Sequence, residues 1–235
     1  MQSERPATSR LQAQGLGCRL PGQRQWLFRQ LQLAIEPGDR IALVGPNGSG
    51  KTVLLHALAL LIGCEEGQLL WRGCRIERAR VPGFRAQVIY LHQTPVLFAG
   101  TVEENLRQPF QLGIHRGKHF DRDRLQRWFD QSGRSRRLWE QPGAELSGGE
   151  RQVVALLRAI QLDPAILLLD EPTAALDSAT TRAIETLVLG WQAARPDQRA
   201  YLWVSHSADQ VARIANRALH LEQGVLREVP VSHGR

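Results

Sequence analysis

Cysteine and long apolar runs are scarce in this 235-residue sequence. Only Cys18, Cys64 and Cys74 are present, and they form neither a C-x-x-C pair nor an even set, which favours reduced thiols in a cytosolic protein. No apolar run approaches the roughly 20 residues that a membrane-spanning helix needs. Residues 1–10 lack the apolar centre of a secretory signal. These absences predict a cytoplasmic chain without a membrane span of its own.

Lysine is also scarce, so arginine supplies nearly all of the basic charge behind the formal net charge of +7. One reading of the basic residues in the middle of the chain is a nucleic-acid site. The other interpretation is a solvated helical face, which we favour because Asp121, Asp123 and Asp130 are interspersed among the basic residues. We therefore expect no nucleic-acid partner, although anionic lipid headgroups would attract the same face near a membrane. The basic residues are Arg116, Lys118, Arg122, Arg124, Arg127, Arg134, Arg136 and Arg137.

The apolar pattern predicts an α/β protein with one domain over residues 11–227, between tails at 1–10 and 228–235. Short apolar runs predict core strands at 41–44, 88–91, 166–169 and 201–204. Three others, at 31–35, 68–71 and 219–226, predict a side sheet, the last with a turn at residues 223–224. The strand signal vanishes between about 94 and 146, which predicts a helical insertion in the core.

A glycine-rich loop lies between a predicted buried strand and a predicted buried helix. Its sequence has the spacing G-x-x-x-x-G-K-T, formed by Gly45, Pro46, Asn47, Gly48, Ser49, Gly50, Lys51 and Thr52. Strand, loop and helix in this order predict a P-loop, in which backbone N–H groups and a helix N-terminus surround phosphates. Lys51 would reach the β- and γ-phosphates, and the Thr52 hydroxyl would bind Mg²⁺. The sequence therefore predicts a nucleoside triphosphate site.

Two acidic residues follow the apolar strand 166–169 directly. A strand buried on both faces places its last residues at the edge of a parallel sheet where ligands bind. Asp170 is suited to holding the Mg²⁺ shell, and Glu171 is suited to polarising an attacking water.

Residues 146–150 predict a second helix N-terminus that can bind phosphate. There Ser147, Gly148, Gly149 and Glu150 precede an apolar helix.

Taken together, these motifs resemble the nucleotide-binding subunit of an ATP-binding cassette (ABC) transporter. Gln93 matches the family's Q-loop, residues 174–177 match its D-loop, and His206 matches its switch histidine. The six motifs occur in family order over residues 31–226. The resemblance implies a P-loop NTPase with a RecA-like core, an antiparallel side sheet and a helical subdomain.

The resemblance also implies roles for single residues. Glu171 is the expected catalytic glutamate, with Lys51, Gln93 and His206 as further catalytic groups. Thr52, Gln93 and Asp170 are the expected Mg²⁺ ligands. In relatives, the signature at Ser147–Glu150 contacts ATP bound by the opposite subunit, and the residue matching Asp177 lies at the dimer seam. The family implies ATP and Mg²⁺ as ligands, an ATP-dependent homodimer, and a separate permease at the cytoplasmic face of the membrane.

The family aromatic that stacks on adenine has no counterpart in residues 17–20. Trp26 is not placed by the sequence, and Arg19 is an alternative stacking group. Residues 93–106 are similar to many ABC cassettes, exporters especially, and residues 107–111 resemble the FetA-type (YbbL-type) ATPases of iron export. An importer of an amino acid, phosphate or other small solute is the second interpretation. Val96, Leu97 and Phe98 are either a docking groove for the permease or buried under the insertion.

Overall fold

The computed structural model describes residues 11–19, 22 and 25–231. The chain divides into two compact units. The first unit comprises the described parts of Met1–Tyr90, Ala165–Asp170 and Arg195–Arg235, and the second comprises Leu91–Pro164 and Glu171–Ala194. The strands are β1 Leu11–Arg19, β2 Trp26–Ile35, β3 Arg40–Val44, β4 Glu66–Trp71, β5 Cys74–Arg75, β6 Val88–Leu91, β7 Ile166–Leu169, β8 Ala200–Val204, β9 Arg217–Glu222 and β10 Val225–Val229. The helices are α1 Lys51–Leu58, α2 Val81–Arg85, α3 Val102–Arg107, α4 Arg122–Gln131, α5 Gly148–Ile160, α6 Ser178–Ala193 and α7 Ala208–Ile214.

A four-stranded antiparallel sheet has the order β2-β1-β4-β5. Leu11 in β1 pairs with Ile35 on one side and with Trp71 on the other, which fixes the register at that end. This sheet corresponds to the predicted side sheet, and its strands cover the predicted segments 31–35 and 68–71.

The second sheet has six strands in the order β10-β9-β3-β8-β7-β6. Strands β9, β3, β8 and β7 run parallel, so β3, β7 and β8 end at the same edge. Every residue of β7 and β8 is buried, which explains why both strands read as continuous apolar runs. The predicted core strands at 41–44, 88–91, 166–169 and 201–204 all lie in this sheet.

The segment 219–226 does not belong to the side sheet, so that part of the prediction is wrong. It forms the hairpin of β9 and β10, and β9 pairs with β3 in parallel, with Leu43 opposite Leu219. The predicted turn is present, with positive φ at Gln223 and Gly224. Two residues assigned to the C-terminal tail, Glu228 and Val229, are paired with β9. The predicted tail at 1–10 and residues 232–235 lie outside the described residues.

The core of the first unit joins both sheets to α1. Leu54, Leu55 and Leu58 of α1 are fully buried, in one cluster with Phe28 of β2 and Leu43 of β3. Burial of each such side chain is worth roughly 1.5–3 kcal/mol. This packing fixes α1 behind the loop that joins it to β3.

Cys18 and Cys64 form a disulfide, with their Cα atoms 4.9 Å apart. The expectation that all three thiols are reduced is therefore wrong for this pair, whereas Cys74 is free and exposed. The reason is the register of β1 and β4, in which Gly17 pairs with Glu66. Antiparallel pairing brings together cysteines that are 46 residues apart in the sequence.

The second unit is helical, and its described residues in the segment 94–146 form α3, α4 and several 3₁₀ turns, as predicted. Thr101 caps α3 and Asp121 caps α4, because each side chain accepts a hydrogen bond from a backbone N–H group in the first turn of its helix. A cluster of edge-to-face aromatic rings joins these turns, with centroids 5.2–6.2 Å apart. Its members are Phe110, Phe120, Phe129 and Trp139.

Several of the basic residues in this unit contact side chains or carbonyl oxygens of the same unit. Arg122 pairs with Glu103 at 3.3 Å and lies 4.9 Å from the Trp139 ring. Arg124 and Lys118 donate to the carbonyl oxygens of Gln161 and Leu162 respectively. Part of the arginine-rich segment therefore has a structural role. Among the described residues, no helix combines the length and apolar character that crossing a bilayer requires.

Candidate functional site

The glycine-rich loop joins β3 to α1 in the first unit, and at two of its positions no residue with a Cβ atom fits. Gly45 has φ +144°, and a methyl group there would collide with the carbonyl oxygen of Leu221. Gly50 has φ +98° and would collide with the Leu27 side chain at 2.8 Å. Both positions combine a left-handed backbone with close packing, so glycine is required. The residues between them, Pro46 to Ser49, form the exposed crest of the loop, with Ser49 half-buried.

Lys51 is folded back across this loop. Its Nζ donates to the carbonyl oxygens of Gly45 and Pro46, at 2.9 Å each, and the residue is only 6% exposed. Among the residues that the structure describes, no side chain caps α1, which starts at Lys51. The N–H groups of the first turn of α1 therefore point into the loop together with a cation, an arrangement that favours anions.

Asp170 follows β7 and is 4% exposed. Its Oδ1 accepts a hydrogen bond from the Thr52 hydroxyl at 3.2 Å, and its Oδ2 accepts one from the Tyr90 hydroxyl at 2.8 Å. Burial, together with the Asp170 carboxylate, raises the pKa of Tyr90 well above its ordinary value, so Tyr90 remains a donor. The carboxylate is thus held in one orientation beside the first turn of α1.

His206 lies beyond the end of β8 and is exposed. It lines a hollow of about 570 Å³ together with Gly45 and Pro46 of the loop. Ser205, directly before it, is buried and donates to the Gln210 side chain at 2.8 Å. The end of β8 therefore fixes the backbone from which His206 projects.

The donor set of the first unit fits a nucleoside triphosphate with Mg²⁺. Ser49 Oγ is buried in the loop and has no hydrogen-bond partner among the described residues. A phosphate oxygen would satisfy it. Within the described part of the chain, no three His, Cys, Asp or Glu residues group as a metal site. One carboxylate and one hydroxyl instead suit Mg²⁺, which takes its other ligands from phosphates and water.

Glu171 and Gln93 lie in the second unit. Gln93 Nε2 donates to Glu171 Oε2 at 3.4 Å. Glu171 has φ +45°, a left-handed conformation that is costly for a residue with a Cβ.

The predicted signature forms the start of α5. Ser147 accepts from the backbone N–H of Glu150, and Glu150 Oε2 accepts from the Ser147 N–H at 2.9 Å, which completes a capping box. The Ser147 hydroxyl also donates to Glu150 at 2.6 Å, and this bond holds the pKa of that carboxyl below its usual range. Gly148 and Gly149 form the first turn, and Gly149 packs on Thr180 of α6.

Asp177 caps α6 within its own chain. Its carboxylate accepts from the backbone N–H and from the hydroxyl of Thr180, at 2.8 Å each. Arg134 donates to the same hydroxyl at 2.8 Å. This network ties the start of α6 to the segment that follows α4.

A family model described as ABC transporter matches residues 28–174, which include the glycine-rich loop, Asp170 and the signature. The chain belongs to the ABC transporter family. It is an ATP-binding domain of that family, with the P-loop NTPase fold that the sequence predicts.

The relatives of this ABC domain include proteins named for export and proteins named for import. Protein STAR1 of Oryza sativa subsp. japonica is 35% identical over 95% of this chain, and the match spans 63% of its own length. Probable iron export ATP-binding protein FetA of Escherichia coli is 33% identical over 79% of this chain and 80% of its own. Thiamine import ATP-binding protein ThiQ of Salmonella typhimurium is 36% identical over 85% of this chain and 84% of its own.

Solved structures support the fold of the ABC domain. The ATP-binding cassette MJ0796, described as a dimer in a post-hydrolysis state bound to ADP and Pi, superposes with a TM-score of 0.80. The match covers 95% of this chain and all of that chain at 23% identity. At this identity the likeness concerns the fold alone.

The structure brings three predicted residues of the ABC domain together, namely Lys51, Thr52 and Asp170. Tyr90 is a member of the site that the sequence analysis missed. The available signal was an aromatic residue in a core strand, three positions before Gln93. Its partner lies 80 residues away in the sequence, so only the sheet order could identify the contact.

Proposed function

We propose that this ABC domain binds and hydrolyses ATP and that hydrolysis drives a separate membrane permease. The observation that carries the proposal is the group of Lys51, Thr52 and the buried Asp170 beside a loop that requires glycine at two positions. Cation, hydroxyl and carboxylate are the groups that phosphoryl chemistry needs for charge neutralisation and metal binding.

Each residue has a defined part in the proposal. Lys51 binds the β- and γ-phosphates, and Thr52 and Asp170 hold Mg²⁺, which neutralises phosphate charge when bound. Glu171 orients and polarises the attacking water as a general base. Gln93, whose Mg²⁺ role rests on the family motif, positions the Glu171 carboxylate through its amide. His206 contacts the γ-phosphate and stabilises its developing charge.

Two variants separate binding from chemistry. Lys51→Ala removes the phosphate-facing cation, so ATP affinity should fall by at least about a hundredfold. His206→Ala should keep ATP affinity and lower turnover by about tenfold to a hundredfold, because its contact strengthens in the transition state. Calorimetry for binding and phosphate release for turnover measure the two effects.

Lys118→Ala is the matched control, since Lys118 is the second lysine of the chain and contacts the Leu162 carbonyl instead. It should keep wild-type ATP affinity. Equal ATP affinity in wild type and Lys51→Ala would overturn the proposed phosphate site. Unchanged turnover in His206→Ala would remove that residue from the mechanism.

The proposed permease-docking surface contains Val96 and Phe98 of the second unit. They are 77% and 51% exposed, and the Arg158 guanidinium lies 5.4 Å from the Phe98 ring. Leu97 is half-buried against Gly143, so only part of the predicted groove is open. Exposed apolar side chains beside Gln93 fit short helices of a permease, which would hold the chain at the cytoplasmic face of the membrane.

Co-purification after mild membrane solubilisation tests this docking surface. Phe98→Ala should reduce recovery of the permease with the chain, whereas Leu112→Ala, which trims an equally exposed residue elsewhere in the unit, should not. Recovery of the wild-type chain in permease-free complexes alone, with both proteins expressed, contradicts the transport proposal.

For direction and substrate, we propose iron export, on the basis of the similarity to FetA. Import is the second candidate, favoured by the comparable identity to ThiQ and to a phosphate import protein PstB 2. Vesicles that contain the recovered permease decide between them. Export predicts ATP-dependent Fe²⁺ movement away from the side that holds this chain, and a co-purifying solute-binding protein would instead establish import.

A further inference from the structure

A chain of hydrogen bonds runs from Arg134 to the first turn of α6. Arg134 Nη2 donates to the Thr180 hydroxyl at 2.8 Å. This hydroxyl donates in turn to the Asp177 carboxylate at 2.8 Å, so its proton is committed and its lone pairs face Arg134. The hydrogen bonds from the Thr180 N–H and hydroxyl hold the pKa of Asp177 below its ordinary value. Asp177 is therefore a fixed, charged group, and it is exposed.

The end of α4 fixes the backbone of Arg134. Gly133, directly before it, has φ +69°. The Arg134 N–H donates to the Phe129 carbonyl oxygen at 2.9 Å. A left-handed glycine followed by this bond to the last turn is the Schellman helix end. The helix end therefore sets the point from which the Arg134 side chain reaches α6.

The start of α5 lies against the same two side chains. A methyl group at Gly149 would lie 3.0 Å from Thr180 Cγ2 and 3.6 Å from Arg134 Nη2. Alanine is the better helix former, so close packing is what favours glycine at this helical position. The Ser147 hydroxyl is the main cause of the lowered pKa of Glu150, and the charge of Arg134 adds to it. Arg134 thus acts on the signature as well as on α6.

Stability alone does not account for an arginine at position 134. Its Nε is buried and has no hydrogen-bond partner among the described residues. A cation beside the first turns of α5 and α6 also opposes the dipoles of both helices. An apolar side chain of similar volume would avoid both costs. What the guanidinium adds is a link between the two helix starts.

We propose that Arg134 is a positioning residue that holds Asp177 and the signature at Ser147–Glu150 in one arrangement, in which both meet a second copy of this chain. The inference rests on the proposed function and on the pairing of two copies that the family motifs imply. Arg134 lies outside all six of those motifs. Without the link, each segment keeps its own helix cap but moves independently of the other. The cost of ordering the two segments then falls on pair formation.

Pairing is measured by sedimentation with saturating Mg·ATP in a Glu171→Gln background, which slows hydrolysis. Arg134→Ala should raise the protein concentration at which half of the chains are paired by about tenfold or more, because a charge-assisted hydrogen bond is lost. Lys51, Thr52 and Asp170 belong to the first unit. ATP affinity measured at protein concentrations too low for pairing should therefore stay within about twofold of wild type.

Two substitutions at Thr180 test the same link without changing Arg134. Thr180→Val removes the hydroxyl and should weaken pairing at least as much as Arg134→Ala, whereas Thr180→Ser keeps the hydroxyl and should pair as wild type. Adding Arg134→Ala to Thr180→Val should cause no further loss, since both break one link. Arg127→Ala, which removes an exposed arginine of α4, is the charge control and should also pair as wild type.

Wild-type pairing in Arg134→Ala or in Thr180→Val overturns the positioning role. An equal loss of ATP affinity in the unpaired chain also overturns it, because the defect would then be general. Additive losses in the double variant would assign the two residues separate roles, with the same consequence. If Glu171→Gln binds ATP and stays monomeric, pairing and this inference fail while the proposed ATP site stands. If wild type does not bind ATP, the proposed function itself fails.

Discussion

At the scale of single residues, the orientation of Asp170 depends on a tyrosine hydroxyl. Thr52 and Tyr90 each donate to a different carboxylate oxygen of Asp170. The Tyr90 ring is fixed in turn by an edge-to-face contact with His56, at 4.8 Å between centroids. We infer that Tyr90 is a positioning residue, which sets the direction in which Asp170 presents its free electron pairs to Mg²⁺.

Tyr90→Phe removes this donor and keeps the ring. A hydrogen bond to a charged group is worth about 1.5–3 kcal/mol, so we expect ATP turnover to fall by about tenfold or more. The Mg²⁺ concentration that gives half-maximal turnover should rise, whereas ATP affinity without Mg²⁺ should change little. Phosphate release measured over a Mg²⁺ series checks both effects.

Tyr201→Phe is the control, because Tyr201 is the second tyrosine of the chain and donates to the Ile214 carbonyl inside the core. It should lower stability without shifting the Mg²⁺ dependence. The same Mg²⁺ dependence in Tyr90→Phe and wild type would show that Tyr90 serves only packing.

At the scale of elements, the start of α5 is stabilised by its capping box. Ser147→Ala removes the hydroxyl that bonds both the Glu150 N–H and the Glu150 carboxylate. We expect a loss of about 1 kcal/mol in the free energy of unfolding and a rise in the Glu150 pKa towards its ordinary value. Chemical denaturation and NMR titration of Glu150 measure these changes.

The pH dependence of the stability lost in Ser147→Ala follows from the direction of the Glu150 pKa shift. The lowered pKa of Glu150 stabilises the fold above its unfolded pKa, and this contribution disappears as pH falls through the folded pKa. The stability difference between wild type and Ser147→Ala should therefore shrink in acid. Thr101→Ala, which removes the corresponding cap of α3, should leave the Glu150 pKa unchanged.

The Cys18–Cys64 disulfide links β1 to the segment before β4. Loop-closure entropy for 46 residues gives an upper estimate of about 4 kcal/mol for its contribution to stability. Cys18→Ser should lower the free energy of unfolding by up to this amount, and reducing agent should then have no further effect on this link. Cys74→Ser, at the exposed free thiol, should match wild type. Alkylation of all three cysteines without reductant would contradict the disulfide.

The sequence alone predicted the strands in which every residue has the same degree of burial. Strands β7 and β8 are buried on every residue, so continuous apolar runs identified them. The turn of the β9–β10 hairpin was recognisable from Gln223 and Gly224. The sheet to which the hairpin belongs was not recognisable, because the pairing of β9 with β3 joins segments about 176 residues apart. Apolar pattern does not encode which sheet edge a strand joins.

The same distinction holds for the candidate site. Lys51, Thr52 and the loop glycines were predictable because their spacing within eight residues specifies the chemistry. Tyr90 and the Arg134–Thr180 contact were not predictable, since their partners lie at sequence positions that only the fold brings near. The disulfide escaped prediction for the same reason.

At the scale of the whole molecule, one chain carries one glycine-rich loop and one signature. We propose that two copies of this chain pair head to tail around two ATP molecules, so that Ser147, Gly148, Gly149 and Glu150 of each copy meet the ATP of the other. Asp177 then lies at the seam, in addition to capping α6.

Glu171→Gln tests this pairing because it removes the proposed base while leaving the ATP-binding residues in place. With saturating Mg·ATP, the variant should hydrolyse ATP very slowly and sediment at twice the mass of one chain. Adding Lys51→Ala to it should restore the monomer, since pairing requires bound ATP. A Glu171→Gln variant that binds ATP and stays monomeric would show that the signature does not complete the site of a second copy.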